Sequence, residues 1–364
     1  MIKVFEPHFD EADVEAVANV IRSGYINEHK LTREFEGKFA ELVGSTYAVA
    51  TNNGTVALFL ALKAAGVQHG NKIIVPTYTM IGTANAVRLA GAIPILADVD
   101  LSDGNLDASL LEDYAHDSSI KAIIPVHING RACDMSKLRE VSFKYGWKVI
   151  EDAAQTLGSK FHGRQLGTFG DVGCFSTATT KIITTGQGGV VVTNEKEIYH
   201  RLMELKDQGR DRTELRENLP DYYPSEGYNF KFTEIQAALG LSQMTKLTRR
   251  IDHKRSITGL YKEFLANIDS LQILPTEPNE LLWYIDILTD TKGENAKLKE
   301  ALEKKSVETQ LFFKPLHTQP LYRSNAVFPQ AEEFFARGLW LPTSSTLKEE
   351  DVEYICKSIR QYYE

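Results

Sequence analysis

One lysine, Lys181, stands in the run Phe175-Ser176-Thr177-Ala178-Thr179-Thr180-Lys181-Ile182-Ile183, among small and β-branched residues. Strand-like segments bracket it, and the glycine-rich turn Gly186-Gln187-Gly188-Gly189 follows. A surface lysine ordinarily keeps charged or polar neighbours. Desolvation lowers a lysine's pKa and favours the neutral amine that imine chemistry needs. Upstream, the apolar run Val149-Ile150 ends in Glu151-Asp152. An acid at the end of a buried parallel strand lies on the carboxyl edge of the sheet, where α/β proteins place ligands. A plain helix-capping aspartate before Ala153-Ala154 is the competing reading. Further upstream, Thr51-Asn52-Asn53-Gly54-Thr55 joins an apolar run to a helical one. Backbone N–H groups, hydroxyls and the positive end of the helix dipole there can cradle a phosphate. An ordinary N-cap would need only one such residue.

A phosphate cradle, a carboxylate and an isolated lysine are together the parts of pyridoxal phosphate chemistry. The phosphate anchors the cofactor, the lysine forms the imine, and the carboxylate keeps the pyridine nitrogen protonated so that the ring acts as an electron sink.

The elements that must position these groups alternate along the chain. Strands are expected at 47–51, 72–75, 93–97, 121–126, 148–151, 173–176 and 189–193, with helices at 55–65, 83–89, 109–114 and 135–145 between several of them. Such alternation predicts an α/β fold around a mostly parallel sheet. Val14, Val17, Ala18 and Ile21 recur at helical spacing and Gly24 stops that helix. A second amphipathic helix is expected over 34–43. After a helix at 195–208 and a polar loop at 209–227, read as a substrate lid or a long connection, one long helix is expected from Thr233 to about Ala266. Strand signals at 282–288 and 308–313 follow it. We therefore expect a large domain over 1–245 and a smaller C-terminal α+β domain over 246–364.

Composition bounds the class. The chain has 364 residues, 41 Lys and Arg against 49 Asp and Glu, and a net charge of −8. An acidic balance argues against nucleic acid or an anionic membrane as the main partner. Cys133, Cys174 and Cys356 are scattered and form no CxxC pair, which excludes a disulfide scaffold or a cysteine-rich metal site and suits a reducing cytoplasm. No signal-peptide pattern and no apolar run of membrane-spanning length occurs. No GxGxxG or GxxxxGK[ST] motif follows a strand, so a plain nucleotide-binding domain is the weaker alternative.

The chain resembles the DegT/DnrJ/EryC1/StrS family of sugar aminotransferases, which are fold type I (aspartate aminotransferase-like) pyridoxal phosphate enzymes. The resemblance runs through Asn53-Gly54-Thr55-Val56-Ala57-Leu58, Val75-Pro76-Thr77-Tyr78-Thr79, Val126-His127 with Ala132-Cys133-Asp134, Glu151-Asp152-Ala153-Ala154-Gln155 and Gly167-Thr168-Phe169-Gly170-Asp171-Val172. It continues through Lys181 with Gly188-Gly189, Tyr228-Asn229-Phe230-Lys231, Pro315-Leu316-His317 and Gly338-Leu339-Trp340-Leu341-Pro342. Within the family the chain is most similar to GDP-perosamine synthases, through 315–322 and 352–362.

The resemblance implies that Lys181 forms the internal aldimine and then moves the substrate proton. It implies that Asp152 pairs with the pyridinium, Gln155 bonds the ring hydroxyl, and Gly54, Thr55 and Ser176 hold the phosphate. Asn229 would reach the phosphate of a neighbouring subunit in a homodimer with shared active sites. His317 and Tyr322 would lie near the sugar or its nucleotide. The implied substrates are an amino-acid donor, glutamate by analogy, and a nucleotide-linked keto sugar aminated at C4 of a 4-keto-6-deoxy hexose. Three positions depart from the family pattern: Met80 where a stacking aromatic is common, Gln187 where an acid is common, and Thr180 where perosamine synthases carry asparagine. A thioether can still pack on a ring face. Family members that dehydrate sugars carry histidine at the lysine position, so Lys181 argues against them; a sensory protein retaining the cofactor is a further alternative.

Two other features remain open on sequence alone. His127 ends a strand and is either a substrate contact or a satisfied structural histidine. Arg249-Arg250 with Lys254-Arg255 is either a solvated helix face or a contact for a nucleotide diphosphate.

Overall fold

A computed structural model describes residues 1–211 and 222–364. The stretch read as a lid, 209–227, therefore lies partly outside the described residues.

Seven strands form the central sheet: β1 (Tyr47–Thr51), β2 (Lys72–Pro76), β3 (Ile93–Ala97), β4 (Ile120–Ile123), β5 (Lys148–Asp152), β8 (Val172–Ser176) and β9 (Gly189–Thr193). The two-residue strands β6 (Lys160–Phe161) and β7 (Arg164–Gln165) form a separate hairpin. The order across the sheet is β1-β9-β8-β5-β4-β2-β3, and β9 alone runs against its neighbours. Strands such as Lys-Ile-Ile-Val-Pro in β2 carry near-continuous apolar residues because both faces of the sheet are covered. The mostly parallel α/β expectation is met.

The covering helices are α1 (Glu11–Ser23), α2 (Lys30–Val43), α3 (Gly54–Ala64), α4 (Gly82–Leu89), α5 (Met135–Tyr145), α6 (Lys196–Lys206) and α7 (Glu234–Met244). In α3 the run from Val56 to Leu62 is buried at every position. Such a helix is apolar all round because partners enclose it, here β8, β9, α4 and α6. The stretch expected as a helix at 109–114 is a 3-10 helix.

The helix expected around Val14–Ile21 and stopped at Gly24 forms, and one expectation, the long helix from Thr233, is corrected. In α1 the stripe of Val14 and Ile21 faces outward, 56% and 57% exposed, while Asp13 and Val20 face in. Asp13 turns inward because Lys246, Ser242 and Gln243 all bond its carboxylate, at 2.6, 2.7 and 2.9 Å. The long helix from Thr233 is two helices, α7 and α8 (Leu247–Leu265), parted at Thr245–Lys246. Lys246 there reaches across to Asp10 and Asp13 rather than continuing an exposed helix face.

After α8 a four-stranded antiparallel sheet forms, in the order β10 (Leu271–Ile273), β11 (Ile285–Thr289), β13 (Gly338–Leu341), β12 (Gln310–Leu311). Helices α9 (Glu294–Lys304), α10 (Pro329–Arg337) and α11 (Glu349–Tyr363) accompany it. Tyr261, Leu302, Val352, Ile355 and Ile359 build its own core between α8, α9 and α11. Other residues of this half, Phe312, Phe334 and Trp340, join the core of the large sheet, with Phe334 edge-on to Tyr78 at 4.9 Å between ring centroids. The smaller sheet is thus held against the carboxyl edge of the larger one.

Candidate active site

Thr51, Asp152 and Ser176 end β1, β5 and β8, and Gly189 begins the antiparallel β9 opposite both Thr51 and Ser176. All four therefore lie on one edge of the sheet, the edge where α/β proteins bind ligands. A cavity of about 620 Å³ opens there. Among its lining residues are Gly54, Thr55, Met80, Asp152, Gln155, Ser176 and Lys181.

The cradle is built by close backbone approach. Asn53 caps α3, its Oδ1 accepting the Val56 N–H at 2.9 Å, which leaves the Gly54 and Thr55 N–H groups without a partner among the described residues. A Cβ on Gly189 would fall 2.4 Å from the Asn53 carbonyl oxygen, so only glycine lets β9 pass this turn. A Cβ on Gly54 would sit 3.1 Å from the Ser176 Cβ, which shows how tightly the turn abuts the end of β8. Free N–H groups, two hydroxyls and a helix N-terminus converge on one spot, the arrangement that binds phosphate.

The acid pair at the end of β5 is divided by the strand pleat, which sends consecutive side chains to opposite faces. Glu151 turns into the core, where it accepts from the Gly167, Phe169 and Gly170 N–H groups at 2.8, 2.6 and 2.5 Å and pairs with His127 at 2.9 Å. Asp152 turns toward the cavity. Its Oδ2 accepts from the Thr83 hydroxyl at 2.8 Å and its Oδ1 from the Ala154 N–H at 3.1 Å. Burial raises its pKa, and the two hydrogen bonds and Lys181 oppose that rise. A carboxylate so placed can hold a protonated ring nitrogen. The capping reading fails, since no helix follows Asp152 and its bond to the Ala154 N–H closes a turn.

Lys181 follows a tight turn after β8, with its N–H on the Ala178 carbonyl at 3.0 Å. Its side chain is partly open to the cavity, and its amine lies 3.5 Å from the centroid of the Trp283 ring. Desolvation brings its pKa down to about 7, with Asp152 pulling the other way. A neutral amine is thus accessible near pH 7. Gln155 accepts the Asn129 N–H through Oε1 at 2.6 Å, leaving its amide nitrogen without a partner among the described residues and on the cavity wall. Met80 is half exposed over the cavity and its sulfur accepts the Gly82 N–H at 2.9 Å.

Three candidates lie elsewhere. Asn229 is exposed, its backbone bridged to Asp207. His317 is buried with Nδ1 on the Thr77 hydroxyl at 2.8 Å and Nε2 on Glu332 at 3.1 Å. Tyr322 donates its hydroxyl to Asn85 at 2.6 Å. None of the three lines the cavity. His127 is fully buried, its second ring nitrogen accepting the Cys133 N–H at 3.1 Å, so the structural reading of that histidine holds. The cluster on α8 splits: Arg249 and Arg255 are exposed, whereas Arg250 and Lys254, four residues apart on one helix face, are buried. For those two the solvated-face reading fails. Conversely, Thr83, Trp283 and Phe313 line the cavity although neither their types nor their spacing marked them.

The orphaned groups match pyridoxal phosphate part by part: N–H groups for the phosphate, a carboxylate for the ring nitrogen, an amide for the ring hydroxyl and a lysine for the aldehyde carbon. Residues 7–360 match the model of the DegT/DnrJ/EryC1/StrS aminotransferase family. The chain belongs to that family. It is a pyridoxal phosphate-dependent sugar aminotransferase. It is 38% identical to the GDP-perosamine synthase of Escherichia coli O157:H7 over 367 residues, covering 100% of this chain and 98% of that one. It is 34% identical to the GDP-perosamine synthase of Vibrio cholerae, covering 100% and 99%. Among solved structures, the aminotransferase TlmJ of Streptoalloteichus hindustanus superposes with a TM-score of 0.92 at 27% identity, covering 99% of this chain and 98% of that one. No helix among the described residues is long and apolar enough to cross a membrane.

Proposed function

We propose that this aminotransferase moves the amino group of glutamate to C4 of a GDP-linked 4-keto-6-deoxy hexose, in the cytoplasm, for a polysaccharide or O-antigen precursor. The observation that carries the reading is the meeting of Lys181, Asp152 and the α3 N-terminus in one cavity of a chain similar to GDP-perosamine synthases from end to end.

Bound pyridoxal phosphate supplies a protonated pyridine ring that takes up the electron pair left when a substrate C–H bond ionises. The chain's own residues do the rest. Asp152 accepts the ring N–H and is held in place for this by Thr83 and the Ala154 N–H. Gly54, Thr55 and Ser176 bind the phosphate, Gln155 donates its amide N–H to the ring hydroxyl, and Met80 packs on the ring face. Lys181 holds the cofactor through Nζ. The same atom would be the one to take up the proton from the amino-acid carbon and give it back. In the cofactor-free chain desolvation brings that amine to a pKa of about 7, within reach of proton exchange at neutral pH.

The enzyme works as a homodimer with shared sites. Asn229 lies exposed and away from its own cavity, so its contact with a phosphate needs a second copy. The exposed apolar side chains of Val14, Ile21, Tyr25 and Ile26 support a partner-covered surface on the same molecule.

The test is a panel of GDP-, dTDP- and UDP-linked keto sugars with glutamate, read by product mass. Amination of the GDP-linked 4-keto-6-deoxy sugar in preference to the others is expected. Preference for a dTDP or UDP sugar overturns the nucleotide assignment.

A further inference from the structure

The amine of Lys181 touches a residue of the second sheet's side of the molecule, Trp283. Trp283, just before β11, places its ring centroid 3.5 Å from Lys181 Nζ. Its indole N–H donates to the Thr180 carbonyl at 2.8 Å, so one side chain contacts the lysine and fixes the backbone beside it.

Trp283 is itself held from both sides. Its N–H donates to the Asn129 carbonyl at 3.0 Å. Its carbonyl accepts from Lys254 Nζ and from the Thr343 hydroxyl, each at 2.7 Å. Lys254 is buried and bonds no carboxylate among the described residues; its other acceptors are the Thr343 hydroxyl at 3.0 Å and the Thr343 carbonyl at 3.3 Å. A buried amine facing only neutral dipoles is costly, whether it keeps its proton or gives it up, and an apolar residue would serve packing better. What the lysine adds is a fixed Trp283 carbonyl. One turn earlier on α8, Arg250 donates to the Ile182 carbonyl at 2.7 Å. The helix thereby holds Ile182 directly and Thr180 through Trp283, the residues on either side of Lys181.

We propose that Trp283 is a positioning residue for Lys181, its ring face holding the amine and its N–H fixing the Thr180 carbonyl, with Lys254 and Arg250 of α8 locking that frame. The proposal deepens the aminotransferase reading and rests on it for its catalytic meaning, whereas the contact itself involves only groups of this chain. An aromatic face favours the ammonium over the amine, against the desolvation that favours the amine. The charged and titratable groups around Lys181 are Asp152 in the cavity and His8, Arg250 and Lys254 along the small spaces beneath it.

The experiment labels the full-length chain, freed of cofactor, with acetic anhydride from about pH 5 to pH 10 and counts acetylated Lys181 by peptide mass spectrometry. Trp283→Leu should lower the pH midpoint of labelling by about one unit, and Trp283→Phe, which keeps a ring face, by less than half of that. A midpoint that stays in place or rises in Trp283→Leu overturns the proposal. A second measurement does not depend on that variant. Trp283 emission, taken as wild type minus Trp283→Phe, should step at the Lys181 midpoint, and Lys181→Met should abolish the step. A flat emission profile, or a step that survives Lys181→Met, overturns the proposal. Neither readout uses turnover, so failure of the substrate assignment leaves both intact.

Discussion

The hydroxyl of Thr83, at the start of α4, donates to Oδ2 of Asp152 at 2.8 Å inside the cavity. This bond aims the carboxylate and leaves its charge free for a ring nitrogen. A hydrogen bond to a charged group contributes about 1.5–3 kcal/mol. Thr83→Val should therefore weaken cofactor retention roughly tenfold or more while the chain stays folded. Thr83→Ser should restore it. Absorbance titration with cofactor measures both, and equal retention in all three proteins would show that Thr83 does not orient Asp152.

The close passage of β9 past the α3 turn gives a steric prediction. Gly189→Ala places a methyl 2.4 Å from the Asn53 carbonyl, forcing the phosphate cradle away from Ser176. Overpacking of this kind costs about 1–3 kcal/mol. The variant should melt lower and bind cofactor weakly, whereas Gly259→Ala, where a Cβ meets nothing within 4 Å, should do neither. Tight cofactor binding by Gly189→Ala would count against the cradle.

Lys254 makes stability depend on pH. Burial lowers its pKa to about 7 from an ordinary value of 10.5. Between those values the unfolded chain keeps a proton that the folded chain has released. Unfolding then takes up protons, so stability rises with pH across the window, by at most about 1.4 kcal/mol per pH unit. Urea denaturation of the cofactor-free chain at increasing pH reads the slope, and Lys254→Met should roughly halve it, leaving the like contribution of Lys181. An unchanged slope in that variant would assign the dependence to other groups.

Sharing of sites between subunits predicts complementation. Lys181→Ala and Asn229→Asp should each be inactive alone. Refolded together in equal amounts, half the dimers are mixed, and each mixed dimer carries one intact site, so activity should return to about a quarter of wild type. No recovery would mean that Asn229 serves its own subunit's cavity.

How far the site could be read in advance depended on distance along the chain. Lys181, Asp152 and the Asn53–Thr55 turn carry local signals: an isolated lysine, an acid ending an apolar strand, a polar turn before an apolar helix. Strands are short and regular, so β1, β3 and β9 fall where alternation and turn residues put them. Trp283 and Phe313 read only as core aromatics, because their approach to Lys181 is made by the second sheet docking on the first. Arg250 and Lys254 look like solvated charges until α8 is packed, since burial of a cation against carbonyls leaves no mark in spacing. The break at Thr245–Lys246 is likewise set by Asp10 and Asp13, more than two hundred residues away in sequence.

The central claim is that Lys181 holds the cofactor and carries the transferred proton. The direct measurement is single-turnover absorbance of the cofactor-loaded enzyme mixed with glutamate, for wild type and Lys181→Ala. The wild type should lose its visible band within the turnover time, and the variant should bind cofactor yet lose the band about a hundredfold to ten-thousandfold more slowly, which is what removing a general base costs. Conversion by Lys181→Ala at the wild-type rate would contradict the account.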